Sequence, residues 1–294
     1  ILTRNFITKD NQLFKQLDKQ TLYLPYATSL RMSNYGYQNT RRKNLEVSIN
    51  SLTEYISDLR KATNMTHPEF AKIQTKNSDL KAQINENILQ IDDEYYAVAR
   101  AKSKIISHQG TTLKLSQGGV DFIELRSLDL NPFSRIGIDT ETTFFLETLL
   151  AYCFIKQGQH FTDDEIKNIN YNDALVATQG REPKLNLLRD GETISLKDWG
   201  NQIIDNLLPI AAVLDSNKNQ YTEVVDQMRE KINDANQTLS GRLLDKIANN
   251  NMSFIELGES IGEENKKHYL NLNQSDNPNW NLLEKEAIDS HNQQ

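Results

Sequence analysis

The spacing of apolar positions changes character along this chain. Across residues 120–127, Val120, Phe122, Glu124 and Arg126 fall on one face of a two-residue repeat, and Ile123 and Leu125 fall on the other. That alternation predicts a β-strand, with the Ile123 and Leu125 face resting on a core. Gly118 and Gly119 break whatever precedes it. Asn131-Pro132 and Gly137 close it in a tight loop, and Asp139 opens the next helix. Residues 84–91, with the run Ile88-Leu89-Gln90-Ile91, predict another strand. Leu22-Tyr23-Leu24 before Pro25 reads as extended, because a residue preceding proline avoids the helical region. Residues 1–20 have no clear period and predict a loop or a short helix, and the alternation of Leu45, Val47 and Ile49 is brief.

Helical spacing takes over elsewhere. Leu52, Tyr55, Ile56 and Leu59 form a stripe that predicts a helix over residues 51–63, opened by a Ser51/Glu54 capping box. After Asp139, the residues Phe144, Phe145, Leu146, Leu149, Leu150, Phe154 and Ile155 predict a helix buried on most sides, with Cys153 as a small hydrophobe within it. Thr162-Asp163-Asp164-Glu165 starts another, with acids where the helix dipole favours them. Ser195 opens a helix to Leu214, with a kink or break at Pro209. Further helices are predicted near residues 221–233, 241–249, 254–270 and 280–290, with linkers at 217–219 and 274–279. Strands in the first half and helices in the second make an α+β pattern rather than an alternating βαβ one. The expected division is a sheet-bearing region at 1–157 and a mostly helical region at 158–294.

Composition narrows the function classes. The chain has 294 residues and a net charge of −7, so bulk electrostatics do not suit it to nucleic acid. No apolar run is long enough to span a membrane. The single cysteine forms no intrachain disulfide, which fits a cytoplasmic protein. The chain opens on Ile1, which reads as a fragment, a processed chain or the second piece of something longer. Walker A, GxGxxG, HExxH, CxxC and GxSxG motifs are absent, and the five histidines lack ligand spacing.

Candidate chemistry concentrates on the 120–127 strand. Glu124 and Arg126 project from one face about 7 Å apart along the strand. Either they form a structural ion pair or a water-facing edge, or Glu124 holds a cation while Arg126 holds an anion. Phosphate with magnesium wants both. Asp92, Asp93 and Glu94 read as a solvated turn or as part of an ion site, and Arg100, Lys102 and Lys104 would point the same way from an extended segment.

Three stretches, YLPYATSLRMSNYGYQN at 23–39, ILQIDDEYYAVAR at 88–100 and GGVDFIELRSLDLNPFSRIGID at 118–139, together resemble the C-terminal part of proteobacterial glutamate–cysteine ligases. The resemblance extends from about Tyr23 to Leu150 and fades after Gly180-Arg181-Glu182-Pro183. It implies a glutamine-synthetase-like antiparallel sheet with helices packed around it. It also implies ATP- and Mg2+-dependent ligation of the γ-carboxylate of L-glutamate to the amine of L-cysteine through a γ-glutamyl phosphate, the first step of glutathione biosynthesis. By the same resemblance, Glu124 is a magnesium ligand, Arg126 and Arg31 contact the transferred phosphate, and Tyr37 and Tyr96 line the cysteine pocket. The family's N-terminal half, with most of its metal ligands, is absent here. The expectation is an inactive chain that needs that half as a partner. Two alternatives stay open: the same activation chemistry with another amine acceptor, and a non-catalytic helical interaction module.

Overall fold

Side-chain caps start four of the helices. Ser51 is extended and its side chain accepts the Glu54 amide, starting helix α1 at Leu52–Asn64. Thr162 and Glu165 exchange both bonds of a capping box ahead of α4, Asp163–Gln179. Ser195 accepts the Asp198 amide ahead of α5, Leu196–Leu214, and Ser253 with Glu256 repeats the box ahead of α8, Phe254–Leu270. Between these lie α2 (Thr111–Gly118), α3 (Thr140–Ile155), α6 (Gln220–Asn233) and α7 (Leu239–Asn250), and α9 (Trp280–Asn292) follows. This computed structural model describes residues 2–3, 13–19, 21–36, 45–73, 83–105, 110–216, 219–272 and 277–293.

The strands are short and antiparallel. β1 (Leu2–Thr3), β2 (Lys15–Gln16) and β3 (Thr21–Tyr23) make one sheet in the order β1-β3-β2. β4 (Ala99–Lys102) pairs with β5 (Phe122–Leu125), and β6 (Asn186–Arg189) pairs with β7 (Glu192–Ser195). The architecture is therefore α+β, with small antiparallel sheets and a mainly helical second half. No helix among the described residues is long and apolar enough to cross a membrane.

The chain divides into two units. One comprises Ile1–Tyr23, Asn131–Asp139 and Arg242–Gln294; the other comprises Leu24–Leu130 and Thr140–Gly241. The second unit holds two apolar clusters. Ile204, Leu207, Ala211 and Val225 join α5 to α6, with Phe145, Leu149 and Tyr152 of α3 packed against them. Leu59 and Ala62 of α1 enclose Leu89 with Leu45, Val47, Tyr55, Ile88 and Tyr95 around them.

Several expectations are corrected. Residues 84–91 form no strand. Their polar neighbours satisfy the backbone instead: Gln90 Oε1 accepts the Ile84 amide, Asn85 Oδ1 that of Asn87, and Glu94 Oε2 that of Gln90. The Ile88 and Leu89 amides donate to the Met65 and Ala62 carbonyls at the end of α1. Side chains competing for backbone groups remove a ladder before it can form. The predicted strand at 120–127 shrinks to Phe122–Leu125, and Ile123 is 45% exposed rather than set on a core. A ribbon of two strands is too narrow to bury a face by itself.

Helix α3 is not buried on most sides either. Thr148 is its one fully buried residue, Phe154 is 92% exposed, and Cys153 is exposed. An evenly apolar helix cannot announce which side it buries. Helix α5 runs on through Pro209, held by the buried side chains of Ile204, Leu207 and Ala211 on either side of it. The β6–β7 hairpin lies inside the region expected to be mostly helical, between the helix predicted from Thr162 and the one predicted from Ser195. Asp190 and Gly191 at its turn have φ of 52° and 81°, the Asp-Gly signature of a two-residue hairpin loop. Part of each predicted linker, residues 217–218 and 274–276, lies outside the described residues.

Candidate active site

The β4–β5 ribbon sets the geometry. Arg100 lies opposite Glu124 and Lys102 lies opposite Phe122 in its register. Alternation then puts Arg100, Lys102 and Glu124 on one face, and Arg126 follows at the strand exit. Glu124 Oε2 is 3.5 Å from Lys102 Nζ and 4.0 Å from Arg100 Nη1, while Glu124 Oε1 is 3.9 Å from Arg126 Nε. One carboxylate thus faces three cations. Glu124 and Arg126 remain more than a third exposed, whereas the Arg100 side chain is only 8% exposed. A cation that deeply buried must be paired, and removing its partners typically costs about 3–5 kcal/mol.

Arg100 is paired on its other side too. It donates to the Asp93 carbonyl at 2.7 Å and lies 3.6 Å from the Asp93 carboxylate, which also sits 3.5 Å from Lys102 Nζ. Asp93 accepts the Thr111 hydroxyl, and its neighbour Asp92 accepts the Thr112 amide at the start of α2. Partial burial pushes the Asp93 pKa up, but the Thr111 hydrogen bond and the Lys102 and Arg100 charges outweigh it, and the net shift is downward. A carboxylate with a depressed folded pKa stabilises the fold above its unfolded pKa, about 3.9, and that contribution fades as the pH falls through the folded value. Unfolding midpoints between pH 6 and 2 should therefore fall less for Asp93→Asn than for the wild type. Parallel pH profiles would show that this carboxylate contributes nothing to folding.

Arg31 projects from a short 3-10 turn, Leu30–Met32, capped by Ser29. Its Nε donates to Asp129 Oδ1 at 2.7 Å, Nη1 to the Arg126 carbonyl at 2.8 Å, Nη2 to the Leu128 carbonyl at 2.8 Å, and Nη1 also to the Tyr96 hydroxyl at 3.4 Å. Burial pulls the Arg31 pKa down, but the Asp129 carboxylate more than offsets this, so the group is held firmly charged. The Arg126 guanidinium carbon stands 5.3 Å from the centre of the Tyr96 ring, within reach of a cation–π contact. The Tyr96 hydroxyl also meets Met32 Sδ at 3.6 Å.

The structure thus brings together Arg31, Tyr96, Glu124 and Arg126 out of the five residues singled out from the sequence. Tyr37 lies outside the described residues. Sequence reasoning left Arg100, Lys102, Asp93 and Asp129 without definite roles. The two-residue spacing of Arg100 and Lys102 was the available signal, but only strand pairing reveals that it faces Glu124. Glu124 is a hard oxygen donor of the kind magnesium takes. Among the described residues, however, no three His, Cys, Asp or Glu side chains converge. These residues would supply one magnesium ligand and not a complete site.

The family model described as Glutamate-cysteine ligase matches residues 1–176. The chain belongs to the glutamate–cysteine ligase family. It is 35% identical over 262 residues to the glutamate–cysteine ligase of Shewanella oneidensis, covering 89% of this chain and 50% of that protein. It is 34% identical over 257 residues to that of Pseudomonas putida, covering 87% and 49%. The chain thus spans about half the length of the curated relatives it matches. The crystal structure of the Francisella tularensis glutamate–cysteine ligase in complex with AMP superposes with a TM-score of 0.83 at 28% identity, over 92% of this chain and 53% of that one. A bifunctional glutathione synthetase from Pasteurella multocida matches at a TM-score of 0.62 and 21% identity, over 82% of this chain and 27% of that one, a likeness of fold.

Proposed function

We propose that this chain is the C-terminal portion of an ATP- and Mg2+-dependent ligase that joins the γ-carboxylate of L-glutamate to the amine of L-cysteine. The observation that carries the proposal is the placement of Glu124 on β5 beside Arg126 at its exit, 3.9 Å apart and partly open to solvent, among further cations. Family membership supports the substrates, and the AMP bound to the Francisella relative supports an adenine nucleotide. In this reading the glutamine-synthetase-like sheet is completed by sequence corresponding to the other half of the relatives. The catalytic strands fall within residues 1–157, and residues 158–294 are a mostly helical region. The protein works in the cytoplasm, and the chain alone is inactive.

The chemistry follows from charge. The γ-carboxylate oxygen attacks the terminal phosphorus of ATP, the bond to ADP breaks, and an acyl phosphate forms. The cysteine amine then attacks the acyl carbon, phosphate leaves, and the nitrogen gives up a proton as the amide forms. Magnesium, when bound, would screen the phosphate charge, with Glu124 as one ligand. Arg126 supplies a guanidinium where charge develops on the transferred group, and the Tyr96 ring, 5.3 Å from its carbon, helps to hold it in place. Arg31 fixes the chain around Arg126 and retains donor capacity toward the same phosphate. Tyr96, and Tyr37 by resemblance, would shape the cysteine pocket.

The test is ADP release by this chain assembled with the remainder of a ligase sequence. Release should require glutamate and cysteine together. Turnover with glutamate alone, unaffected by cysteine, would count against the assignment. Comparing kcat/KM across a panel of amines then fixes the acceptor.

A further inference from the structure

We propose that Arg181 is a positioning residue of the ligase: it fixes the turn that carries Arg31, and through Arg31 the exit of β5 with Arg126 and Tyr96. This rests on the ligase reading given above. Arg181 bonds to the stretch that precedes Arg31 and to the turn that follows α6. Its Nη1 donates to the Pro25 carbonyl at 3.1 Å, Nε to the Ala235 carbonyl at 3.3 Å and Nη2 to Asn236 Oδ1 at 3.3 Å. Its own amide donates to the Tyr26 carbonyl at 2.9 Å. One residue, through its side chain and its amide, therefore ties residues 25–26 to the turn between α6 and α7.

The end of α4 holds the next residues of the same stretch. The Thr28 and Ser29 amides both donate to the Ala177 carbonyl, at 3.1 and 3.2 Å, and the Thr28 hydroxyl donates to the Val176 carbonyl at 2.7 Å. The last carbonyls of a helix run short of intrahelical partners. Here the loop supplies two amides to the Ala177 carbonyl, and a hydroxyl to the Val176 carbonyl, which also accepts the Gly180 amide. Gly180 allows this approach. A methyl group at position 180 would lie 2.7 Å from Thr28 Cγ2 and 2.5 Å from the Val176 carbonyl oxygen. Glycine is thus required for contact rather than for backbone freedom.

The anchored stretch leads directly into the site. Ser29 caps the Leu30–Met32 turn, and Arg31 makes four hydrogen bonds from it, to Asp129, the Arg126 carbonyl, the Leu128 carbonyl and Tyr96. These partners are 65 to 98 residues away in sequence. A fork with four of its donors engaged demands that its Cα be fixed, since a displacement of about 1 Å can cost roughly 10²-fold in rate. The Arg181 clamp and the α4 carbonyls provide that fixed point.

Two measurements test this. Hydrogen–deuterium exchange on the full chain compares Arg181→Ala with the wild type. Exchange should quicken about tenfold or more in residues 24–33 and 126–130, with α5 and α6 at wild-type rates. Unchanged exchange in both segments, or acceleration spread evenly through α5 and α6, overturns the proposal. This holds whether or not the protein turns over. The second measurement is a double-mutant cycle on the assembled ligase. Arg181→Ala should lower kcat about tenfold in the wild-type background but no more than about twofold in Arg31→Lys, because residues acting as one unit are not additive. Additive losses, or full activity in Arg181→Ala, overturn it. A wild-type assembly without cysteine-dependent ADP release would instead reject the ligase reading, and exchange would still decide whether Arg181 places Arg31.

Discussion

Arg126→Ala is expected to lower kcat of the assembled ligase by roughly 10²–10³-fold, the usual loss when one donor aimed at developing charge is removed. The geometry explains why the loss should fall on kcat. The guanidinium sits over Tyr96, beside Glu124, at the exit of a strand whose next carbonyls are held by Arg31. Such a group interacts most strongly with charge that appears during phosphoryl transfer, so KM should move less than kcat. Arg126→Lys keeps the charge but loses the planar fork, and should recover only part of the rate. Because the Arg126 side chain is 36% exposed, neither variant should perturb folding much. Steady-state ADP release with saturating glutamate and cysteine measures both parameters. A wild-type kcat in Arg126→Ala would remove this residue from the reaction.

The largest effect on stability is expected at Leu207. It is fully buried between α5 and α6, within the cluster formed with Ile204, Ala211 and Val225. Truncation to alanine removes transferred apolar surface and leaves a cavity that the surrounding helices fill only in part. The expected loss is about 3–5 kcal/mol, seen as a lower denaturant midpoint. Val213 lies on the same helix but is 82% exposed, so Val213→Ala should change stability by no more than about 0.5 kcal/mol. Equal effects from the two would mean that α5 does not bury the face assigned to it. The comparison also bears on Pro209, which α5 tolerates inside its span only because neighbouring side chains pack tightly.

The candidate site joins long-range pairing to short-range rules. Glu124 and Arg126 share a face because strand residues alternate, and this is a local fact. Glu124 meets Arg100 and Lys102 because β4 pairs with β5 in one particular register, and this is not. A one-residue slip would turn Arg100 and Lys102 to the opposite face and leave the carboxylate without those two partners. Burial of Arg100 makes such a slip expensive, so the same ion pairs that surround the catalytic candidates also set the register that creates them.

Local signals alone account for four of the helix starts, although the Asp190-Gly191 hairpin, also a local signal, lay within a stretch expected to be mostly helical. The Ser51, Thr162, Ser195 and Ser253 starts need only a side chain and the amide three residues on. The α6 to α9 stretches are legible from apolar spacing, and family motifs mark Arg31, Tyr96, Glu124 and Arg126. Three-dimensional packing settled where backbone groups with two possible partners would bond. In residues 84–91, Asn and Gln side chains and the α1 carbonyls took the amides that a strand would have used. It also decided which side of α3 is buried, since a helix apolar on all sides carries no direction of its own. Above all, it joined Arg181, the end of α4, Arg31 and the β5 exit into one chain of contacts. No local rule links residues that far apart in sequence, because their meeting depends on how whole elements pack.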